Sequence, residues 1–497
     1  MSAKPLLTFL FSFIAYLGIS QKVVYTSPPI AAVPAPVTSD NNINLNYPWW
    51  SKSLLKATVY PSTTEAVTVY DQHKKQGALI IKVNEDGKVL WQHEMADEVI
   101  FIGMHQGSVA LVTIPEWNKQ WGLIPENVKI TLLNTDTGRP VAERVLFSTK
   151  PDVFIDIKVL YTKDAIKGLL LRHTDLDQNR SRNPYTVFEK AGATRKVEIL
   201  DIDEELNTGT PRKITTAATS MEYLGGGLNQ KGELIMVSCS ENILLAEKFG
   251  VGAVTPVAKL MASFDAKEKK LKTGHVVLNR DNPDQVAVAL KYKNAENDDA
   301  IASAIFDFTA GKGYSHLVNL EEKAYRKALD IKNTDYFTPA TIIFYGDKII
   351  FCKEQTNSWQ MDMKGAATRY NAATMLLSVY DKNMRLVKDI LVPRRYEAFD
   401  RGQLHAGFFI NGNKLSMLFS ELAGSTSYQT VLSEVDLDKL EISRRVILER
   451  SGIHKASTIE AESSLWFGNA VVLPYIEGAG GMLSTKLATI LQKIQLK

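Results

Sequence analysis

The sequence of 497 residues predicts an all-β chain, a β-propeller of four-stranded antiparallel blades. Eight blades is the favoured count, and seven follows if one weak hairpin, the one around Asp265, is miscounted. Three observations lead there. From about Trp49 onward, short runs alternate apolar and polar residues and are separated by Gly, Asn, Asp and Pro, the pattern of strands joined by turns. Two kinds of hairpin interleave along the chain, one pair every 50–60 residues or so, a period typical of radial arrays. A single four-stranded unit of this kind cannot bury both of its faces alone, and packing units like spokes supplies the missing apolar contact.

The elements follow in chain order. Residues 1–20, MSAKPLLTFLFSFIAYLGIS, hold one Lys, an apolar run from Pro5 to Leu17, and small residues at Gly18 and Ser20. That is the grammar of a secretory signal peptide cleaved after Ser20, too short to cross a bilayer as a helix. The mature chain is therefore expected to be exported, periplasmic or extracellular, with no transmembrane anchor. Residues 21–48 are rich in Pro, Ala and Ser and read as an N-terminal segment or linker; within them KVVYT or NINLN would serve as a strand that closes the ring. Residues 49–497 form the propeller. One hairpin type places a tight polar turn between strands, as in LIIKVNEDGKVLW and ITLLNTDTGRPV; the other has its turn before the more apolar strand, as in IFIGMHQGSVALVTI and GFFINGNKLSMLFSE. The C-terminal segment STKLATILQKIQL fits a strand by its echo of SYQTVLSEVDL, although Leu487, Ile490, Leu491 and Ile494 also fit one helix face.

The units IIKVNEDGKVLW and, more distantly, DKNMRLVKD resemble the strand–D-x-x-G–strand–Trp repeat of secreted bacterial β-propeller proteins. The resemblance spans most of the mature chain; it implies the fold and no activity.

Composition narrows the function classes. The formal net charge of +3 is small and evenly spread, so nucleic acid is not an expected partner. Only Cys239 and Cys352 are present, both in apolar strand-like runs, and both read as buried free thiols with no His nearby in sequence to make either a nucleophile. Asn84, Asp86 and Gly87 look like the start of a Ca²⁺ loop, but the twelfth position is Met95 and the flanks alternate with period two. Hairpin turns use Asn and Asp for local hydrogen bonds and Gly for positive φ, which accounts for them without a metal. Asp175, Asp177 and Asn179 form a weak Ca²⁺ candidate that lacks a closing carboxylate. No cofactor is indicated.

The repeat order assigns sidedness. With strands A to D in each blade, the A–B and C–D turns share one face and the B–C and D–A connections the other. The B–C connections PEWNKQWGLIPEN, HTDLDQNRSRNPYTVFEKAGATR, SENILLAEKFGVGAVTP and EQTNSWQMDMKGAATRYNAA read as long loops, and long loops on rigid scaffolds commonly carry binding residues. They contribute Trp117, Trp121, Arg180, Arg182, Tyr185, Trp359, Arg369 and Tyr370 as ligand-binding candidates; the D–A connection VPRRYEAFDRGQLH adds Arg394, Arg395, Tyr396 and Arg401. Such Trp, Tyr and Arg residues make good anchors, although packing of loops onto blades explains them too. The expected function is an exported binding module for a protein, peptide or glycan. The alternative is a propeller-type glycoside hydrolase or lyase with carboxylates in a central funnel, drawn from Asp156, Asp335, Asp400, Glu421 and Glu462. A mainly structural envelope role is the third possibility. No metalloprotease, nucleophile-elbow or phosphate-loop string is present in the sequence.

Overall fold

The middle strands of each unit are apolar on both faces, and that decides the architecture. In Ala78–Asn84, Ala78 and Ile80 are buried on one side and Leu79, Ile81 and Val83 on the other. The outer strand Val89–Met95 is only half buried and alternates. In a computed structural model, eight antiparallel sheets of this kind stand in a ring, an eight-bladed β-propeller. The structure describes residues 23–28, 33–34, 58–71, 77–114, 127–148, 154–174, 194–240, 242–264, 270–293, 299–319, 327, 337–360, 368–398, 405–423, 427–451, 457–459, 461–479 and 486–496.

Blade 2 shows the plan, with strand A Glu98–His105, B Ser108–Ile114, C Asn127–Leu133 and D Pro140–Ser148 paired in that order. Every junction between blades holds its own apolar cluster. Ile80 meets Leu111 between blades 1 and 2, Val112 meets Leu169 between 2 and 3, and Leu170 meets Phe249 between 3 and 4. Val237 and Val288 fill the next junction, Ile305 and Phe351 the one after, then Leu377 and Phe419. Leu432 and Leu473 join blades 7 and 8, and Val472 returns to Ile81 of blade 1. Burying each such side chain stabilises by about 1.5–3 kcal/mol, so the ring holds because each sheet covers the next.

Ring closure joins the two ends of the chain. The strand Val23–Thr26 pairs with Lys486–Gln495 as the outer strand of blade 8, with Val23 opposite Ile494 and Tyr25 opposite Lys493. Ser27 N donates to Leu491 O and Leu491 N to Ser27 Oγ, both at 2.9 Å. Of the two candidate closing strands, KVVYT supplies this one, and NINLN lies outside the described residues. The C-terminal segment is a strand because Ile490 and Ile494 pack toward blade 7 while Leu491 packs toward blade 1, an alternation no helix face provides. Lys493 then pairs with Asp86 of blade 1 at 2.8 Å.

The Asx residues at the heads of the turns serve the backbone. Asn84 Oδ1 accepts from Asp86 N and Lys88 N, Asn134 Oδ1 from Asp136 N and Thr137 N, Asp381 Oδ1 from Asn383 N and Arg385 N, and Asp436 Oδ1 from Asp438 N and Lys439 N. Gly87 takes φ +80° behind Asn84, a conformation open to Gly at no steric cost. The NEDG stretch is thus a capped turn.

Two expectations are corrected. In blade 4, ILLAEKF is strand C, Ile243–Phe249, with Leu244 and Ala246 buried, so SENILLAEKFGVGAVTP is not a long loop. The weak hairpin expected around Asp265, LMASFDAKEKKLK, is likewise no C–D hairpin: Ala258–Ser263 is the outer strand of blade 4 and Lys270–Leu278 the inner strand of blade 5. The misread hairpin leaves the count at eight, because the true C–D hairpin of blade 4 replaces it. The physical reason is that its turn, Gly250–Val257, lacks the Asx head that marks the others.

Two measurements test this frame. Removing residues through Thr26 strips the outer strand of blade 8; hydrogen exchange should then expose the amides of Thr489–Ile494 first, with a lowered Tm, whereas an unchanged exchange pattern would contradict the closure. Between blades 4 and 5, Asp284 receives Lys231 at 2.8 Å and Lys248 at 2.6 Å, and those hydrogen bonds hold its carboxyl down from 3.8 to about 2. Its contribution is therefore full above pH 4 or so and lost as pH falls through about 2. Asp284→Asn should flatten that part of an acid-unfolding curve.

Candidate functional site

Blade 6 departs from the repeat. Its strand B, Lys348–Gln360, has 13 residues and its strand C, Thr368–Asp381, has 14, against seven in the middle strands of blade 1. Pairing with inner strand A ends at Gln355 and pairing with the outer strand begins at Met375. Between these limits Thr356–Gln360 and Thr368–Ala372 run on as a ribbon, register Thr356–Ala372 to Gln360–Thr368, reaching about 15 Å past the blade at ~3.3 Å per residue. Thus EQTNSWQMDMKGAATRYNAA, expected as a loop, is largely strand. A third short strand, Tyr396–Ala398, pairs with Tyr370–Ala372 and braces it.

At the root of this hairpin lies a cluster of charges. Along strand B, Ile349 and Phe351 face blade 5 and Ile350 and Cys352 face blade 7; the same alternation sends Lys353 one way and Glu354 the other. Glu354 is buried and both its oxygens are used. Oε2 lies 2.7 Å from His405 Nδ1, while Oε1 accepts from Ala406 N at 2.8 Å and has Arg394 Nη1 at 3.5 Å. Arg394 is fully covered, its guanidinium 5.4 Å from the Phe419 ring centre and 5.9 Å from that of Tyr396, and its two terminal nitrogens make no hydrogen bond among the described residues. Glu421 accepts from Gln429 at 2.8 Å and from Arg444, whose other amino group donates to Pro393 O at 3.0 Å. Glu462 of blade 8 adds a third carboxylate, its charge felt by Arg394 and His405. Gly407 permits this approach: a Cβ there would sit 2.2 Å from Ala461 O.

The electrostatics are those of an ionised network. Burial by itself would raise the Glu354 carboxyl, but the His405 hydrogen bond and the His405 and Arg394 charges hold it below the usual range. Burial would depress His405, and the Glu354 hydrogen bond and charge, with that of Glu462, raise it above 6.5 instead. Arg394 is lowered by burial and remains a cation.

Two lesser polar groups lie apart from this cluster. On the blade 5 side, Lys353 Nζ donates to Ser378 Oγ at 2.7 Å, which donates to Asp389 at 2.6 Å. Burial brings Lys353 down to about 8, yet Ser378 is wholly enclosed, so this is an internal hydrogen-bond chain and not a nucleophile open to substrate. At the upper end of blade 3, Glu198 takes His173 Nε2 at 2.7 Å and Lys196 at 3.0 Å; burial and the Lys196 charge push His173 below its ordinary value.

The sequence candidates divide accordingly. Arg394 and Tyr396 belong to the cluster, but as buried packing groups; Arg395 is exposed and its carbonyl accepts from Leu422 N at 2.7 Å. Trp359 stands opposite Arg369, and Ser358 opposite Tyr370, in the projecting ribbon. Trp117, Trp121, Arg180, Arg182, Tyr185, Arg401 and the Ca²⁺ candidates Asp175, Asp177 and Asn179 lie outside the described residues. Of the acids, Glu421 and Glu462 converge on Arg394; Asp156 is placed in strand A of blade 3, opposite Arg172, while Asp335 and Asp400 fall outside the described residues. Glu354, His405 and Arg444 were missed. The available signal was Lys353-Glu354 inside the apolar run IIFCKEQ, where a buried charge requires a partner. Cys239 and Cys352 are both buried, and neither forms a disulfide.

No protein-family model matches the chain, and no curated protein matches it. Among solved structures it is similar to the Dos1 propeller, at TM-score 0.44 and 9% identity over 95% of this chain and 96% of that one. It is also similar to BamB from Moraxella catarrhalis, at TM-score 0.40 and 10% identity over 95% and 99% of the two chains. The polysaccharide lyase Uly1 matches at TM-score 0.39 and 9% identity over 89% and 90%. Prolyl oligopeptidase B from Galerina marginata matches at TM-score 0.39 and 10% identity over 88% of this chain, which spans 56% of that one. These likenesses concern propeller architecture.

Breaking the buried pair should be costly and removing it whole should not. Glu354→Ala strands Arg394 and His405 and is expected to destabilise by about 3–5 kcal/mol, while Glu354→Leu with Arg394→Met costs less than the two single changes summed. Additive losses in denaturant unfolding would show that the two groups do not act together.

Proposed function

We propose that this protein is an exported binding propeller that takes a protein, peptide or glycan on the face of the B–C connections, with the blade 6 hairpin as its principal contact. The observation that carries the reading is that hairpin. A blade needs no strands of 13 and 14 residues to close a ring, and the surplus ends in Trp359, Arg369 and Tyr370, residue types that anchor interfaces. Bracing by Tyr396–Ala398 presents a pre-organised ribbon, which lowers the entropy lost on binding. Export rests on the apolar run Pro5–Leu17 followed by Gly18 and Ser20.

The chemistry of the charge cluster favours binding over glycosidic cleavage. A general acid must hold a proton near neutral pH through a raised pKa. Glu354 is instead held below the usual range by His405 and Arg394, and Glu421 is engaged by Arg444 and Gln429.

Purified mature protein should capture its ligand in glycan-array and protein pull-down assays. Trp359→Ala and Arg369→Ala are each expected to weaken capture about tenfold or more, with Tm unchanged. Trp117→Ala and Arg395→Ala test how far the contact spreads. Capture that survives both hairpin substitutions would place the ligand elsewhere.

A further inference from the structure

The two described ends of the D–A crossover between blades 6 and 7, residues 393–398 and 405–406, lie at the root of the hairpin. Its first part carries Arg394, and Tyr396–Ala398 within it braces Tyr370–Ala372; its last residues, His405 and Ala406, end on the two oxygens of Glu354. One carboxylate, on the strand that becomes the hairpin, thus ties down the far end of the crossover and the start of blade 7. We infer that Glu354 and His405 form a proton-controlled clasp, setting how firmly the crossover and its bracing strand are held against the root of the hairpin. This rests on the binding reading only for its consequence, control of the ligand face; the clasp itself is a property of the free protein.

Among the described residues, several elements around the pair bear on its titration. Blade 6 contributes Glu354 itself, the crossover contributes Arg394, and blade 8 contributes Glu462; blade 7 adds Glu421, engaged by Arg444, which acts through Arg394. Glu354 and Glu462 favour the imidazolium and Arg394 opposes it, and the carboxylates prevail, so His405 sits above 6.5 while Glu354 sits below its usual range. The sign follows. A histidine raised in the folded state contributes stability that is complete below pH 6.5 and is lost as pH rises through its folded value. Glu354 stays ionised through that transition, so the clasp passes from a charged pair to a carboxylate facing a neutral ring. It is tight in mildly acid solution and looser in alkali. His173, lowered by burial and Lys196, should respond in the opposite sense and serves as an internal control.

Two measurements on the unliganded mature chain decide the matter. Imidazole NMR, with the resonance assigned through His405→Gln, should show His405 titrating above 6.5 and His173 below it. Hydrogen exchange between pH 6 and pH 9, corrected for intrinsic rates, should show protection at Tyr370–Ala372 and Tyr396–Ala398 falling with pH, about tenfold for each unit by which His405 exceeds 6.5. His405→Gln should abolish that slope. His405 titrating at or below 6.5, or equal slopes in wild type and His405→Gln, overturns the clasp; should the variant fold poorly, assigning the imidazole in wild type by backbone-to-ring correlation keeps the NMR arm decisive. Loss of the binding reading would show separately, as ligand capture indifferent to Trp359→Ala and Arg369→Ala.

Discussion

A four-stranded sheet whose two middle strands are apolar on both faces cannot stand in water alone, and the rest of the molecule depends on that constraint. Each blade covers one face of the next, and each of the eight junctions carries its own cluster of Val, Ile, Leu and Phe. In a closed ring no blade is terminal, so none needs a polar cap on an outer face. The junction between blades 8 and 1 is the one where the chain ends must meet, and there the N-terminal strand joins the last blade while Lys493 reaches Asp86. Apolar burial sets the geometry, and hydrogen bonds and ion pairs fix register within it.

The same constraint explains why the charge cluster matters. A buried carboxylate or guanidinium costs several kcal/mol unless paired, yet the junction of blades 6, 7 and 8 admits Glu354, Arg394 and His405. The cluster lies at the end of the junction where the apolar filling gives way to the long strands of blade 6. It takes over there from hydrophobic packing, tying the crossover to both neighbouring blades, while Ala372 at the base of the ribbon packs with Tyr396 and Tyr428. Lys353, one residue before Glu354, points into the opposite junction and is settled by Ser378 and Asp389. Adjacent residues on one strand thus serve two interfaces.

The arrangement also bears on the proposed reading. Carboxylates that accept two or three charged or backbone donors are electrostatic struts, since the donors hold them ionised and fix their orientation. A rigid platform carrying a braced ribbon is suited to holding a partner in one orientation. The oriented His173–Glu198 pair on blade 3 lies on the same face and supplies a second polar landmark.

Local chemistry made much of this legible. Period-two alternation located the strands, Asx heads such as Asn84 and Asp381 located the turns, and the interleaving of hairpins gave eight as the favoured blade count, with seven open, and a sided ring. Where an Asx head was missing, at Gly250–Val257, a strand was mistaken for a loop. Trp359 and Arg369 were found as residue types but read as loop because alternation weakens in EQTNSWQ; cross-strand pairing, a relation between distant residues, makes them a ribbon. By itself, then, the sequence determined fold class, repeat and sidedness, because these depend on neighbours along the chain. Only the tertiary structure decided that Glu354, Arg394, His405, Glu421 and Glu462 meet, because a buried charge chooses its partner by position across blades, and positions in space are set by the packing of whole sheets.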